Sequence, residues 1–498
     1  MKLEDTREQA RSRMALQASG EWAATDLDTV SQPPVHSTLR GVPEKRAYGS
    51  DFPFRNVGQR NEWAALGEVH TTLVSGAYGG FSNSWGAQIM PFTAETFREW
   101  PVSADEMYRH YRSILESIPY AAEEDDLEEL FPLLAPSAAL PPLSERATAV
   151  LARYERRRRS LNRRGILVGR ARLALDASAC TRCGLCMTGC PYGLIYSAAH
   201  TIDALRSRGR VTYHGGLLAV RVEECRDAAT VIAKETATGN LHRFTADRVF
   251  LACGSLGTTQ LVLGSLGLFE KPVRVQESAQ IIVPFLSAKP THSDPRETHD
   301  FTLNQFNVIV KLDPTARDVA CLFFYTYNPA FLDALPPLLR SGWTDPVRKQ
   351  LLRRLSVAFA YLPSWASPGF VVRASASNGN ALPHITLEPR DSGFFRNSML
   401  RRVIGRLSSS GPDLDLWPVL PMVRPAAAGK SYHWGGTFPH SARPDTTFSS
   451  DKLGRVQPWK RIHLVDGSVL TTVPATTFTL SVMANAHRIA DAALRDSA

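Results

Sequence analysis

The stretch Arg248-Val-Phe-Leu-Ala-Cys253-Gly254-Ser255-Leu-Gly257-Thr-Thr-Gln-Leu261 decides the fold class. A short β-prone apolar run ends at a glycine, and a helical pattern over residues 255–266 starts at once. That step from strand through glycine to helix is one α/β unit. A second such step closes the chain: Arg461-Ile-His-Leu-Val-Asp466 reads as a strand, Gly467 as its turn, and residues 479–493 as a long helix. Between them, residues 271–425 change character. Ile281-Ile-Val-Pro-Phe, Phe306-Asn-Val-Ile-Val, Cys321-Leu-Phe-Phe-Tyr, Phe370-Val-Val-Arg-Ala and His384-Ile-Thr-Leu-Glu read as strands of an antiparallel sheet with one covered face. A helix-like stretch over 346–360 interrupts them.

Working outward, residues 1–20 read as a polar helix and 30–60 as a loop rich in Pro, Gly and Asn. Residues 104–118 form a helix with Met107, Tyr111 and Ile114 on one stripe. Residues 120–147 are acidic and then Pro/Leu-rich, which reads as a surface excursion. Strands are expected at 166–169, 211–213 and 217–222, and a helix at 197–205. The chain has 498 residues, a hydrophobic fraction of 44% and a charged fraction of 21%, which excludes a disordered chain or a fibrous repeat. No apolar run approaches the ~18 residues of a membrane span. The polar start Met1-Lys-Leu-Glu-Asp-Thr has no apolar h-region, so a cytoplasmic protein is expected. The net charge of +9 is concentrated in a run from Arg153 to Arg164. Without aromatic interleaving, this run reads as a solvated helix face or acidic-partner patch and not as a nucleic-acid site.

Four of the seven cysteines lie in Cys180-Thr-Arg-Cys183-Gly-Leu-Cys186-Met-Thr-Gly-Cys190-Pro191. This is the C-x2-C-x2-C-x3-C-P spacing of bacterial ferredoxins, whose thiolates wrap a 4Fe-4S cluster. Gly184 and Gly189 permit the tight backbone between the ligands. The fourth ligand is Cys190 folding back, or Cys225, Cys253 or Cys321; a zinc staple and a metal-free loop are the other readings. The segment Gly76-Ala-Tyr-Gly79-Gly80-Phe-Ser82-Asn83-Ser-Trp85-Gly86 is glycine-dense, which lets backbone approach a ligand.

The C-terminal block resembles a known family. Tyr432-His433-Trp-Gly435-Gly436-Thr437, Asp451…Gly454-Arg455-Val456, His463-Leu-Val-Asp466-Gly467-Ser468 and Pro474-Ala…Thr479-Leu-Ser-Val-Met483 together look like the last segment of the glucose–methanol–choline oxidoreductases, which use FAD. The Gly79–Gly86 loop resembles that family's flavin-contacting loop, and the 251–261 segment its strand and turn. The resemblance implies an α/β protein, α+β overall: a Rossmann-like FAD-binding domain, incomplete at its N-terminus, plus an antiparallel-sheet substrate domain. It divides the chain into an FAD-domain remainder (1–120), the excursion (121–165), an FAD-domain segment with the cysteines (166–270), the substrate domain (271–427) and the C-terminal segment (428–498).

It also implies the chemistry, an alcohol, sugar or sterol-like CH–OH group giving hydride to flavin. His433 falls on the family's base position and Thr477 on its second position, usually His or Asn; His440 is a nearby substitute. Gly79, Gly80, Ser82, Asn83, Gly86, Gly254, Asp466, Gly467 and Thr477 would contact FAD, and Cys180, Cys183, Cys186 and Cys190 would hold the cluster. An imidazole of ordinary pKa, ~6.5, would lose activity as acid protonates it. A cluster beside flavin suits a dehydrogenase passing electrons to a protein or quinone acceptor. The family's first βαβ unit carries G-x-G-x-x-G, and this chain has 33 glycines but no G-x-G. Three expectations follow: the sequence starts downstream of that unit, a separate chain supplies it, or this is a non-catalytic iron–sulfur partner subunit that has lost FAD.

Overall fold

The computed structural model describes residues 1–31, 45–55, 63–69, 73–325, 327, 332, 337–377, 382–390, 398–444 and 448–495. Most of the expected 30–60 loop lies outside them. The largest sheet is antiparallel. Strands β8 (Gln280–Leu286), β9 (Asn304–Lys311), β10 (Val319–Tyr325) and β11 (Leu355–Tyr361) run in the order β8-β11-β10-β9. Phe323 faces Phe359 across one pair, and Ala358 faces Val283 across the next. Because successive side chains alternate, one face buries Val308, Val310, Leu322 and Phe285 under helices α4 (Glu145–Arg163) and α8 (Ser398–Leu414). The other face presents Phe323, Phe359 and Tyr361 to Met90, Phe131 and Ala475.

Three expectations change here. The helix read over 346–360 stops early: α7 spans Asp345–Leu352, and 355–361 is β11. Leu355-Ser-Val-Ala-Phe-Ala-Tyr is buried on both faces between β8 and β10, so its apolar residues lose the alternation that marks a half-buried strand. The strand expected at 211–213 is absent: those residues are exposed and unpaired, and β3 (Leu217–Glu224) begins beyond them. The 121–165 region is not wholly a surface excursion. Ala147, Val150, Tyr154 and Leu161 of α4 pack into the sheet core, and β2 (Ile166–Arg170) adds to its edge beside β9. The arginines of α4 find acidic partners within the chain, Arg153 at Asp415, Arg157 at Asp413 and Arg158 at Asp126.

A second sheet runs β1 (Trp63–Ala65), β13 (His384–Pro389), β12 (Phe370–Ser375), β7 (Val273–Glu277), β16 (Trp434–Gly435). Strand β7 leads almost directly into β8, so the segment from 273 to 286 stitches the two sheets together. The α/β part is small among the described residues. Strands β6 (Val249–Leu251) and β17 (Ile462–Leu464) pair in parallel, Leu251 opposite Leu464, and feed α6 (Ser255–Leu266) and α9 (Thr479–Arg495). Beside them lies the hairpin sheet of β3, β4 (Ala229–Glu235) and β5 (Leu241–Ala246).

Helix α9 packs along α3 (Ala104–Ser117). The buried stripe of α3 is Met107, Tyr111 and Leu115, with Ser103 capping its first turn. Each fully buried apolar side chain there contributes roughly 1.5–3 kcal/mol. Two short helices, α1 (Asp5–Ala15) and α2 (Ala24–Val30), pack on each other through Ala10, Met14 and Val30, with Tyr48 and Leu185 of the cysteine loop against them. No helix among the described residues is long and apolar enough to cross a membrane.

Candidate functional site

Strand β16 follows His433 directly, and its pairing with β7 sets Trp434 opposite Glu277. The Ser278 N–H donates to the His433 carbonyl at 2.9 Å, and the His433 N–H donates to Ser431 Oγ at 3.0 Å. Ser431 in turn donates to the buried Glu277 carboxyl at 2.7 Å, which also accepts the Gly429 N–H at 2.9 Å. Burial pushes Glu277 up to about 7, offset in part by those donors. The turn needs a left-handed residue, which Tyr432 supplies at φ 55°. His433 therefore sits where the two sheets join, held through its backbone.

The His433 imidazole stacks on Tyr361, ring centroids 4.5 Å apart and planes 21° apart, and meets the edge of Phe478 at 5.3 Å. Among the described residues its Nδ1 is enclosed without a partner, and His433 as a residue is half-buried. Burial pushes it down to about 3, below the ordinary value near 6.5, which favours the neutral imidazole. Thr476 and Thr477, immediately before Phe478, bury hydroxyls that have no hydrogen-bond partner. Sequence reasoning missed Tyr361 and Glu277; the first lies one residue beyond the stretch read as a helix, the second in a strand with no motif.

His440, in contrast, is fully engaged. Its Nδ1 meets the Asp451 carbonyl at 2.7 Å, and Nε2 meets Asn485 Nδ2 at 3.1 Å. The carbonyl requires Nδ1–H, leaving Nε2 to accept from the amide. It is a structural histidine holding α9 to the loop at 451.

The carboxyl end of β6 opens on the same part of the molecule. Ala252, Cys253 and Gly254 are exposed, while their surroundings push the Cys253 thiol up to about 11. Gly254 has φ 78°, and a Cβ there would meet no atom within 4 Å. Ligands of open α/β sheets bind at such strand ends. Asp466 is buried and accepts from the Thr258 hydroxyl and from the Ser468 N–H; one oxygen ties the β17 end to α6 and the other caps the turn that follows the strand. A Cβ on Gly467 would come within 2.5 Å of Ser255 Oγ, so a larger residue there would displace the Ser255 hydroxyl.

In the glycine loop, Gly79 and Gly80 take φ 87° and 58°. Ser82 Oγ accepts from the Ala198 N–H at 2.9 Å, capping helix α5 (Ala198–Ser207), and Asn83 Nδ2 donates to the Tyr78 and Gly80 carbonyls. These hydrogen bonds shape the loop, and both side chains also line a cavity. Gly86 lets the loop meet the sheet: its Cβ would stand 3.2 Å from Tyr325 Oη. Taken together, an accessible strand end, a positive-φ glycine with open space, unpartnered threonine hydroxyls and the N-terminus of α9 fit an elongated anionic cofactor such as FAD.

The cysteine loop packs on the same core. Cys180 and Cys186 contact it together with Trp85, Phe478, Val482 and Met483. Tyr48 donates to the Cys190 carbonyl at 2.8 Å, and the Thr302 N–H points at Cys186 Sγ at 3.4 Å. Burial pushes the Cys183 thiol up to about 12, with Cys186, Cys190 and Cys180 adding to it. Cys190 thus shares the field of the other three, while Cys321 is buried in β10 and Cys225 is exposed beyond β3. Among the described residues, no three His, Cys, Asp or Glu side chains converge on a single ion. The donor set itself, four cysteines in one loop at the C-x2-C-x2-C-x3-C-P spacing, fits a 4Fe-4S centre.

The segment 173–196 matches the model of the 4Fe-4S binding domain. No curated protein matches the chain in sequence. In structure the chain is similar to pyridoxine 4-oxidase from Mesorbium loti, with TM-score 0.54, 13% identity and 83% of each chain covered. It is similar also to formate oxidase from Aspergillus oryzae RIB40, a protein studied for its FAD modification, with TM-score 0.55, 14% identity and 84% of each chain covered. At that identity the likeness concerns architecture. The fold is the mixed α/β one of FAD-binding glucose–methanol–choline oxidoreductases, a Rossmann-like domain with a substrate domain.

Proposed function

We propose that the chain is an FAD-dependent oxidoreductase acting on the CH–OH group of an alcohol. FAD, when bound, supplies the hydride acceptor. The observation that carries the reading is His433: an imidazole that burial keeps neutral, stacked on Tyr361, with no hydrogen bond at Nδ1 among the described residues. It accepts the hydroxyl proton at Nε2 as the carbinol carbon gives up hydride. Thr477, with its free hydroxyl, orients the substrate oxygen. The backbone of Gly79, Gly80, Gly86, Gly254 and Gly467 admits the cofactor closely, and Asp466 holds its strand end in place. The α9 N-terminus favours negative charge at the cofactor edge. Cys180, Cys183, Cys186 and Cys190 would hold a 4Fe-4S centre, which would supply a one-electron exit towards a protein or quinone acceptor, as suits a dehydrogenase in a reducing compartment such as the cytoplasm.

A second reading, a partner subunit without FAD, is favoured by one feature. Among the described residues β6 pairs only with β17, leaving its other edge and residues 252–254 uncovered. A separate chain placing a βαβ unit on this edge would restore the first reading. Flavin content decides between the readings: protein reconstituted with FAD and reduced by an alcohol supports the enzyme, and protein that binds iron but no flavin under any supplementation supports the subunit.

A further inference from the structure

Lys45 stands where the cysteine loop meets the glycine loop. Its ammonium donates to the Trp85 carbonyl at 2.7 Å. Lys45, Asn83, Trp85, Tyr48, Gly189 and Cys190 line one cavity of about 410 Å³. The residue is half-buried; burial lowers its ammonium, while Cys186 and Cys190 act the other way.

A half-buried ammonium is favoured by an anion, and a carbonyl is neutral. Protonated thiols would compensate nothing. Thiolates around an iron–sulfur centre would, because the centre with its four cysteines is anionic overall. Other cations near the loop are differently placed. Arg182, which acts on Cys180, is exposed and screened by water. Arg11, near the Pro191 carbonyl, is paired with Glu8.

We propose that Lys45 is the counter-charge of the iron–sulfur centre and holds its reduction potential up. The inference rests on the cluster reading above. Reduction adds one electron and no proton: oxidised centre plus one electron gives reduced centre, and Lys45 keeps its proton throughout. A fixed positive charge stabilises the more negative reduced form more than the oxidised form, and low dielectric magnifies the difference. Because Lys45 also holds the Trp85 carbonyl, the charge lies between the glycine loop and the cysteines, on the side from which electrons would arrive.

The test is a redox titration of the centre followed by electron paramagnetic resonance, with iron and sulfide content measured on the same samples. Lys45→Gln keeps an N–H for the Trp85 carbonyl and Lys45→Met keeps the length; both remove the charge, whereas Lys45→Arg retains it. In the two neutral variants reduction should become at least tenfold less favourable, a midpoint lower by about 59 mV or more for a one-electron couple, and Lys45→Arg should stay near the wild type. Unchanged midpoints in iron-loaded Lys45→Gln and Lys45→Met would overturn the proposal, as would loss of iron from both, which would make Lys45 an assembly residue. Wild-type protein that takes up no iron would defeat the cluster reading itself, and this shows before any variant is made.

Discussion

The rings of Tyr361 and His433 lie nearly parallel with centroids 4.5 Å apart, so the last residue of a central strand in the antiparallel sheet fixes the plane of the imidazole. The hydroxyl of Tyr361 is itself held by Gln280 Nε2 at 2.6 Å. Orientation of His433 is therefore built from the sheet and not from a carboxylate partner. Removing the ring by Tyr361→Ala should lower kcat about tenfold or more through misalignment while also costing ~3–5 kcal/mol in stability. Tyr361→Phe keeps the ring and should retain most of kcat. Flavin reduction and thermal melts on the same samples separate the two effects.

Glu277 predicts a pH dependence of stability. Its folded pKa, about 7, is raised above the ordinary carboxylate value chiefly by burial. The folded state then binds more protons than the unfolded state between pH ~4.5 and ~7, so stability falls as pH rises through that window and stays lower above it. The slope is worth up to ~3 kcal/mol. Glu277→Gln keeps an acceptor for Ser431 and Gly429 and should flatten that part of the stability profile. A profile unchanged by the substitution would show that the carboxyl is not the titrating group.

The cysteines make a sharper set. Cys183→Ser and Cys190→Ser should each abolish or severely lower bound iron in anaerobically purified protein, whereas Cys225→Ser and Cys321→Ser should leave it intact, since neither shares the field of the loop thiols. Full iron in Cys190→Ser together with loss in Cys321→Ser would relocate the fourth ligand.

How much was legible beforehand follows from where each signal lives. The step at Cys253-Gly254-Ser255 was readable because a strand end, a positive-φ glycine and a helix start are local; α6 begins and ends where the pattern put it, at Ser255 and Leu266. The cysteine spacing was readable for the same reason. Strand β11 was not, because burial on both faces erases alternation, and with it Tyr361 was lost. Ser82 and Asn83 carried a motif resemblance, but motif resemblance does not say which way a side chain turns, and both serve the loop and α5. His440 lay close to His433 in sequence, yet its partners Asp451 and Asn485 come from elements that only folding brings together.

The low pKa of His433 has a kinetic counterpart. A neutral imidazole with a pKa near 3 should leave flavin reduction insensitive to pH down to about pH 4, in contrast to the decline near 6.5 of an exposed histidine. Stopped-flow traces between pH 4 and 8 would reveal a titration near 6.5 if water or an acid reached the ring.

The central claim is that His433 takes the hydroxyl proton. It is tested most directly by single-turnover reduction of bound flavin by an alcohol, in the wild type and in His433→Ala at equal flavin content. A general base contributes about 10²–10⁴-fold, so the variant should be slower by that factor with its flavin spectrum unchanged. Equal rates in the two proteins would contradict the account.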